Sequence, residues 1–396
     1  MRFLIFTLLA AGCVSPSKKG PPDSVDLQMN DLSVMLPLPK TQADVDAMMA
    51  PTSPGVGGTL LPQATFDQAQ VGLDYTSLRA VAFRFDPCFG QLGAITDSSN
   101  CQNQLRIVWQ PLFVSMVGGT PTTSAADSGV HAFYSISRDQ LIAAVDEMVA
   151  AREADGIDFD LGPLAPHPTI TSEGLSGPLA QKLFQIVEKY AGGSELVRMT
   201  SFQIEFLNGG EAPFAGGGDF WGFQSFDISA GTVKPRTIAT LVGDANNRMS
   251  LSASVDPLES SGSPATTSID NIATLESMTN ATAATLDARK LAFDGALRIE
   301  NPHANSPDTI DCASCHLAMP ARTMVGEQLG LTETGDANRF VPDSSIPAAD
   351  LAQTTVLDTN GILNIHAFSY RDVNPMINQR VINETAANLA YLKSLL

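Results

Sequence analysis

The sequence predicts an α+β domain over residues 63–256 followed by a small all-α domain over residues 269–396. Three observations predict it. Between residues 63 and 256, period-two runs rich in Val, Ile, Phe and Trp alternate with stretches of helical period. Ser260–Ser268, inside a boundary region over 257–268, has the Ser/Thr/Gly composition of an interdomain linker. Beyond that boundary, the apolar residues that mark a face recur at helical spacing.

Taken in order, Arg79–Phe85 and Leu105–Gln110 read as neighbouring strands, and Val130–Ile136 reads as a third. Ser137-Arg-Asp-Gln140 has the form of a capping box, in which the serine side chain and the glutamine side chain satisfy each other's backbone N–H. The helix it opens places Leu141, Val145, Met148 and Val149 on one face. A second helix begins at Pro178, turns Leu179, Leu183, Ile186, Val187 and Tyr190 inward, and ends at Gly192-Gly193. Val197–Phe206 and Trp221–Ile228 are two further strands around a glycine-rich loop. In the last quarter, Leu286, Phe293 and Leu297 mark one helical face, and Ile382, Ala386, Leu389, Leu392 and Leu396 mark another. These two helices are expected to pack against each other.

The α+β region shows no persuasive chemistry of its own. Asp155-Gly-Ile-Asp-Phe-Asp160 has a calcium-like rhythm but lacks the glycine and the terminal glutamate of an EF-hand loop. His131, on a strand beside Phe133 and Tyr134, reads as an ordinary core or surface histidine, and His167 between prolines as an exposed one. Gly216–Gly218 is loop and not a nucleotide cradle, because no helix signal follows it.

The chemistry sits at Cys312-Ala-Ser-Cys315-His316. Two thiols at this spacing can each add to a vinyl group of one haem, and the adjoining histidine is placed to ligate the iron. A disulfide or redox pair and half of a metal site are the rival readings of C-x-x-C. Together with the closing segment Asn388–Leu396, the motif resembles the c-type cytochrome family over about the last 115 residues. The resemblance implies a small all-α cytochrome c-like domain with one covalent haem c and a second axial ligand opposite His316. Met376, after Pro375 and before the closing helix, matches the family's ligand methionine in position. His366 is the alternative, with Met319, Met324 and His303 behind it.

Residues 1–12 read as an export signal: one positive charge, a short apolar run and small residues. Ala10-Ala-Gly-Cys13 is similar to a bacterial lipoprotein cleavage box, which implies lipidation at Cys13 and a membrane anchor there only; ordinary secretion remains open. Residues 13–62 then form a Pro/Ser/Gly-rich tether, with Leu32–Pro39 apolar enough to pack on a domain surface. With Cys13 on lipid and Cys312 and Cys315 on haem, Cys88 and Cys101 are left as a structural disulfide.

With 42 acidic and 23 basic residues, the formal charge of −19 excludes nucleic acid as a partner. The expectation is an extracytoplasmic, lipid-anchored single-haem cytochrome of the bacterial cell envelope that exchanges electrons with a redox partner protein. Two alternatives remain: an exported binding lipoprotein with an accessory haem domain, and a haem enzyme or sensor with an open distal site.

Overall fold

A computed structural model describes residues 27–89, 102–157, 160–205, 220–239, 241, 247–252, 262–263, 270, 286–332, 336–352, 358–359 and 362–395. A one-turn helix, α1 (Met29–Leu32), leads into β1 (Ser33–Met35). The chain then lays down β2 (Leu78–Phe89), β3 (Gln102–Val117), β4 (Thr120–Ala125) and β5 (Ser128–Ser135). Helices α2 (Arg138–Ala154) and α3 (Pro178–Tyr190) follow. Next come β6 (Leu196–Glu205), β7 (Phe220–Ser229), β8 (Thr232–Pro235), β9 (Arg248–Ser252) and β10 (Gly262–Ser263). The last part adds α4 (Leu286–Glu300), α5 (Cys312–Leu329), the hairpin β11 (Phe368–Arg371) and β12 (Asn374–Ile377), and α6 (Gln379–Lys393).

The first ten strands form one sheet in the order β1-β2-β3-β5-β6-β7-β9-β10, with β4 paired to β3 and β8 to β7. Each of these pairings is antiparallel. Because successive side chains point to opposite faces of a strand, the sheet has two chemically different sides. One carries Phe83, Phe85, Leu105, Ile107, Trp109, Tyr134 and Met199, buried in one apolar cluster with Leu141, Val145 and Met148 of α2 and Leu179, Leu183, Ile186 and Val187 of α3. The capping box that opens α2 is present: Ser137 Oγ accepts from Gln140 N at 3.1 Å and Gln140 Oε1 from Ser137 N at 2.8 Å.

The other side is polar near its middle and is nevertheless covered. Helices α5 and α6 lie over it, and they correct the expected architecture. Among the described residues of 269–396 no small all-α cytochrome c-like domain is evident. The stripe Ile382, Ala386, Leu389 and Leu392 is buried in the same cluster as the strands, and α6 also meets the C-terminal end of α4, where Asn383 Nδ2 donates to the Glu300 carbonyl at 2.9 Å. The face of α4 that carries Phe293 and Leu297 packs on Val325 of α5. An apolar stripe shows which face of a helix is buried and carries no information about the neighbour.

The expected tether over residues 13–62 is corrected from residue 27 onward. Leu27, Leu32, Val34, Met35, Leu60 and Leu61 are fully buried, and β1 pairs with β2 from Ser33↔Arg84 to Met35↔Ala82. Gly262–Ser263, within the expected linker, pairs with β9. The chain ends are also sewn together by polar contacts. Ser33 Oγ meets Thr385 Oγ1 at 2.7 Å, and Tyr370 Oη donates to the Leu36 carbonyl at 2.8 Å. The buried Gln110 side chain donates to the Tyr370 carbonyl at 2.6 Å and accepts from the Tyr370 N–H at 2.9 Å, so β11 is held on β3 by one amide. Among the described residues no helix is long and apolar enough to cross a membrane.

Helix α6 is fixed to the sheet by a buried ion cluster. Glu384 Oε2 lies 2.5 Å from Arg84 Nη2, and Glu384 Oε1 lies 2.7 Å from Arg380 Nη2. Asp86 bridges Arg84 at 2.6 Å and Arg106 at 3.1 Å, and Asn388 donates to Asp86 at 3.0 Å. Burial opposes the Glu384 charge, but Arg380, Arg84 and Arg106 outweigh it and hold the carboxyl far below its ordinary range. A carboxylate with a depressed folded pKa contributes its full stability above its unfolded value of 4.5 and loses it as the pH falls toward the folded value. Glu384→Ala, which removes the buried carboxylate that Arg84 and Arg380 share, is expected to lower unfolding free energy by about 3–5 kcal/mol in urea denaturation at pH 7. The gap between the native chain and Glu384→Gln should narrow on acidification below pH 4.5; a gap that stays constant with pH counts against this account.

Candidate functional site

The first turn of α5 is the Cys312–His316 segment. Asp311 is its N-cap: Oδ1 accepts from Ser314 N at 2.8 Å and Oδ2 from Ser314 Oγ at 2.7 Å, so the carboxylate holds the turn from both sides. Residues three and four apart on a helix share a face, so Cys312, Cys315 and His316 point the same way. All three border one cavity between α5, α6 and the polar side of the sheet.

The sheet supplies the facing wall through two cross-strand rows. One row runs Arg84↔Arg106↔Phe133↔Arg198, the next Val108↔His131↔Thr200↔Ser225. With Arg236 and Arg380 the cavity is bordered by five arginines. Phe133 carries two of them, with Arg106 4.8 Å and Arg198 5.9 Å from its ring centre. Asp308 holds Arg198 at 3.2 Å and Arg236 at 2.6 Å. In a chain of charge −19, this wall is a local concentration of cation and hydrogen-bond donor, suited to carboxylates on a bound molecule.

His316 is oriented by the backbone. Its Nδ1 lies 2.6 Å from the Ile365 carbonyl oxygen. A carbonyl only accepts, so Nδ1 carries the proton, and in the neutral ring the lone pair is on Nε2. Burial lowers the His316 pKa, the Ile365 bond raises it and Arg106 lowers it further; the net shift is downward, which favours that neutral ring. A hydrogen bond of this kind, on the ring nitrogen away from the metal, fixes the tautomer of metal-binding imidazoles. The ring sits among Phe202 and Phe223, with centres 5.6 and 5.5 Å away, and 6.3 Å from the ring of His131.

Both thiols are free and half-buried; burial pushes Cys312 well above the ordinary thiol value and likewise pushes Cys315 up to about 11. Redox and metal-binding cysteines have lowered values. Among the described residues no group of three or more His, Cys, Asp or Glu is placed to hold a metal ion. The donor set does fit a covalent haem: two protonated thiols on one helix face, an imidazole with a free Nε2, and arginines for two propionates.

The other sequence candidates lie elsewhere. Met376 is buried in β12, where its Sδ receives Asn364 Nδ2 at 3.1 Å. His366 is buried with Nδ1 3.1 Å from Asn364 Oδ1 and Nε2 3.8 Å from Asp127. Neither borders the cavity. Met319 is buried in α5, Met324 is half-buried and His303 is exposed against Phe340. His167, expected to be exposed, is buried, and its pKa is lowered to about 4 by that burial. Cys13, Cys101 and Gly216–Gly218 lie outside the described residues, as does the side chain of Cys88. In the Asp155–Asp160 run, Asp158 lies outside them too, and Asp160 accepts from Gly162 N at 2.9 Å.

Sequence reasoning missed the arginine row. The signal was present: Arg84, Arg106 and Arg198 each stand between apolar residues on a period-two strand. Such a pattern marks a polar sheet face and does not reveal that helices cover it. No family model matches the chain, and no curated protein and no solved structure matches it.

A thiol whose pKa has risen from 9.0 to about 11 has about one hundredth of the ordinary thiolate fraction at pH 8. In folded protein prepared without haem, Cys315 is therefore expected to alkylate with iodoacetamide at least about 100-fold more slowly than in the urea-unfolded chain, as followed by mass spectrometry. Equal rates in the two states refute the burial described for this turn.

Proposed function

We propose that this chain is an exported electron-transfer protein of the c-type cytochrome class, with one haem attached to Cys312 and Cys315 and His316 as an axial ligand. The observation that carries the reading is that both thiols and the histidine border one cavity while the His316 Nδ1 is committed to the Ile365 carbonyl. Bound there, the haem iron supplies a reversible one-electron couple. The chain's own residues do the rest. Asp311 fixes the turn that presents the thiols, and Phe202 and Phe223 pack against the His316 ring. The arginine wall is positioned for the propionates.

The reading places the haem against a large sheet and beneath α5. It also includes export, because bacterial c-type haem is attached outside the cytoplasm, and a lipid anchor at Cys13. The partner is a redox protein; whether the chain is a carrier or a haem enzyme depends on whether the second axial position is filled.

Expressed with a haem-attachment system, the protein should carry one haem that survives acid–organic extraction, and Cys312→Ala with Cys315→Ala should abolish it. Native protein whose haem extracts completely, or that carries none, overturns the proposal. Mass spectrometry of the mature N-terminus should find an acylated Cys13; an unmodified N-terminus at another residue removes the anchor from the reading.

A further inference from the structure

We infer that Asn364 is a positioning residue for His316: its side chain holds the turn that aims the Ile365 carbonyl at His316 Nδ1. The redox consequence rests on the covalent-haem reading; the geometry does not.

Asn364–Ala367 belongs to no helix or strand, so no ladder of backbone hydrogen bonds fixes the plane of the Ile365 peptide. A side chain does so instead. Asn364 is only 1% exposed, and its Oδ1 accepts from the His366 backbone N–H at 3.0 Å and lies 3.1 Å from His366 Nδ1. An asparagine oxygen bonded to the N–H two residues on makes an Asx-turn, in which a side chain does the work of backbone in a tight reversal. Because a backbone N–H only donates, the atom facing it is the oxygen, and the amide nitrogen is left to donate to Met376 Sδ at 3.1 Å. Asn364 thus ties the turn to β12 at one end and to His366 at the other. The His366 ring is set edge-on against Phe202 and Trp221, with centres 5.3 and 5.7 Å away.

The middle residue of the turn is held by packing. Ile365 is buried in one apolar cluster with Ala313 and Leu317 of α5, while its carbonyl meets His316 Nδ1 at 2.6 Å. What Asn364 supplies that an apolar residue of similar size does not is the direction of that carbonyl. An acceptor on Nδ1–H makes the imidazole a more basic ligand through Nε2. A more basic axial ligand favours oxidised iron and lowers the potential.

The test uses the full chain, made once with and once without a haem-attachment system. In the haem-free chain, nitrogen-15 magnetic resonance should find His316 in the Nδ1–H form with a slowly exchanging ring proton. Asn364→Leu should lose that slow exchange and populate the Nε2–H form, and Asn364→Ser, whose hydroxyl makes the same turn more weakly, should recover part of it. In the haem-loaded chain, Asn364→Leu should keep extraction-resistant haem and raise the midpoint potential, by about 59 mV where the preference for the oxidised state falls tenfold. Asn364→Ser should lie between that value and the native one. A native His316 in the Nε2–H form overturns the assignment whether or not a variant folds. So does a His316 tautomer, or a potential, unchanged in Asn364→Leu. Native protein without extraction-resistant haem is a different result: it removes the covalent-haem reading, and the haem-free comparison still decides the role of Asn364.

Discussion

Glu384 is the interaction on which the C-terminal half depends. Its two oxygens are shared between Arg84 on the sheet and Arg380 on its own helix, all three buried. Arg380 in turn donates to the carbonyls of Ile299 at 2.6 Å and Asn305 at 2.7 Å, at the end of α4 and in the loop that leads to α5. One carboxylate thus fixes the last helix to the sheet and, through one guanidinium, fixes the segment that delivers the cysteines. The apolar side of the sheet is covered by α2 and α3. The polar side needs this cluster, because charged rows on a covered sheet are tolerable only when each charge finds a partner.

The local elements of residues 63–256 were legible because they rest on local rules. Period-two runs became β2, β3, β5, β6 and β7, and the Ser137–Gln140 box opened α2 as its chemistry requires. The whole architecture was not legible. Its errors share one cause: burial at residues 27–62 and the placement of α6 are both decided by neighbours some 50 to 350 residues away, such as Arg84 beside Ser33 and Thr385 beside the same serine. Composition and periodicity carry no such long-range information. Within the site the motif was readable to the residue, since three side chains on one helical turn are fixed by spacing alone. The facing wall was not, because it is assembled from one residue on each of several strands.

The cavity also reconciles two charge patterns that look opposed. The chain as a whole is acidic, and its surface repels anions, yet five arginines converge on one interior wall. Asp86, Asp227, Asp308 and Glu384 bridge between them, which keeps the guanidinium groups in place. Such a wall presents oriented donors to an anionic group at the moment it enters, with no side chain left to reorganise.

The hydrogen bond between Ser33 and Thr385 spans 352 positions, and it sets a timetable. A chain that emerges from synthesis or translocation with its N-terminus first can form β1 and β2 early, but the edge they make stays open until the final helix arrives. Loop closure over such a distance is slow, and folds dominated by distant pairings complete late. Until α6 docks, Arg84 lacks Glu384, Asp86 lacks Asn388, and the thiol-bearing turn of α5 stays uncovered on that side. Cover for Cys312 and Cys315 on that side is therefore completed last, because the segment that closes the fold lies downstream of the turn it covers.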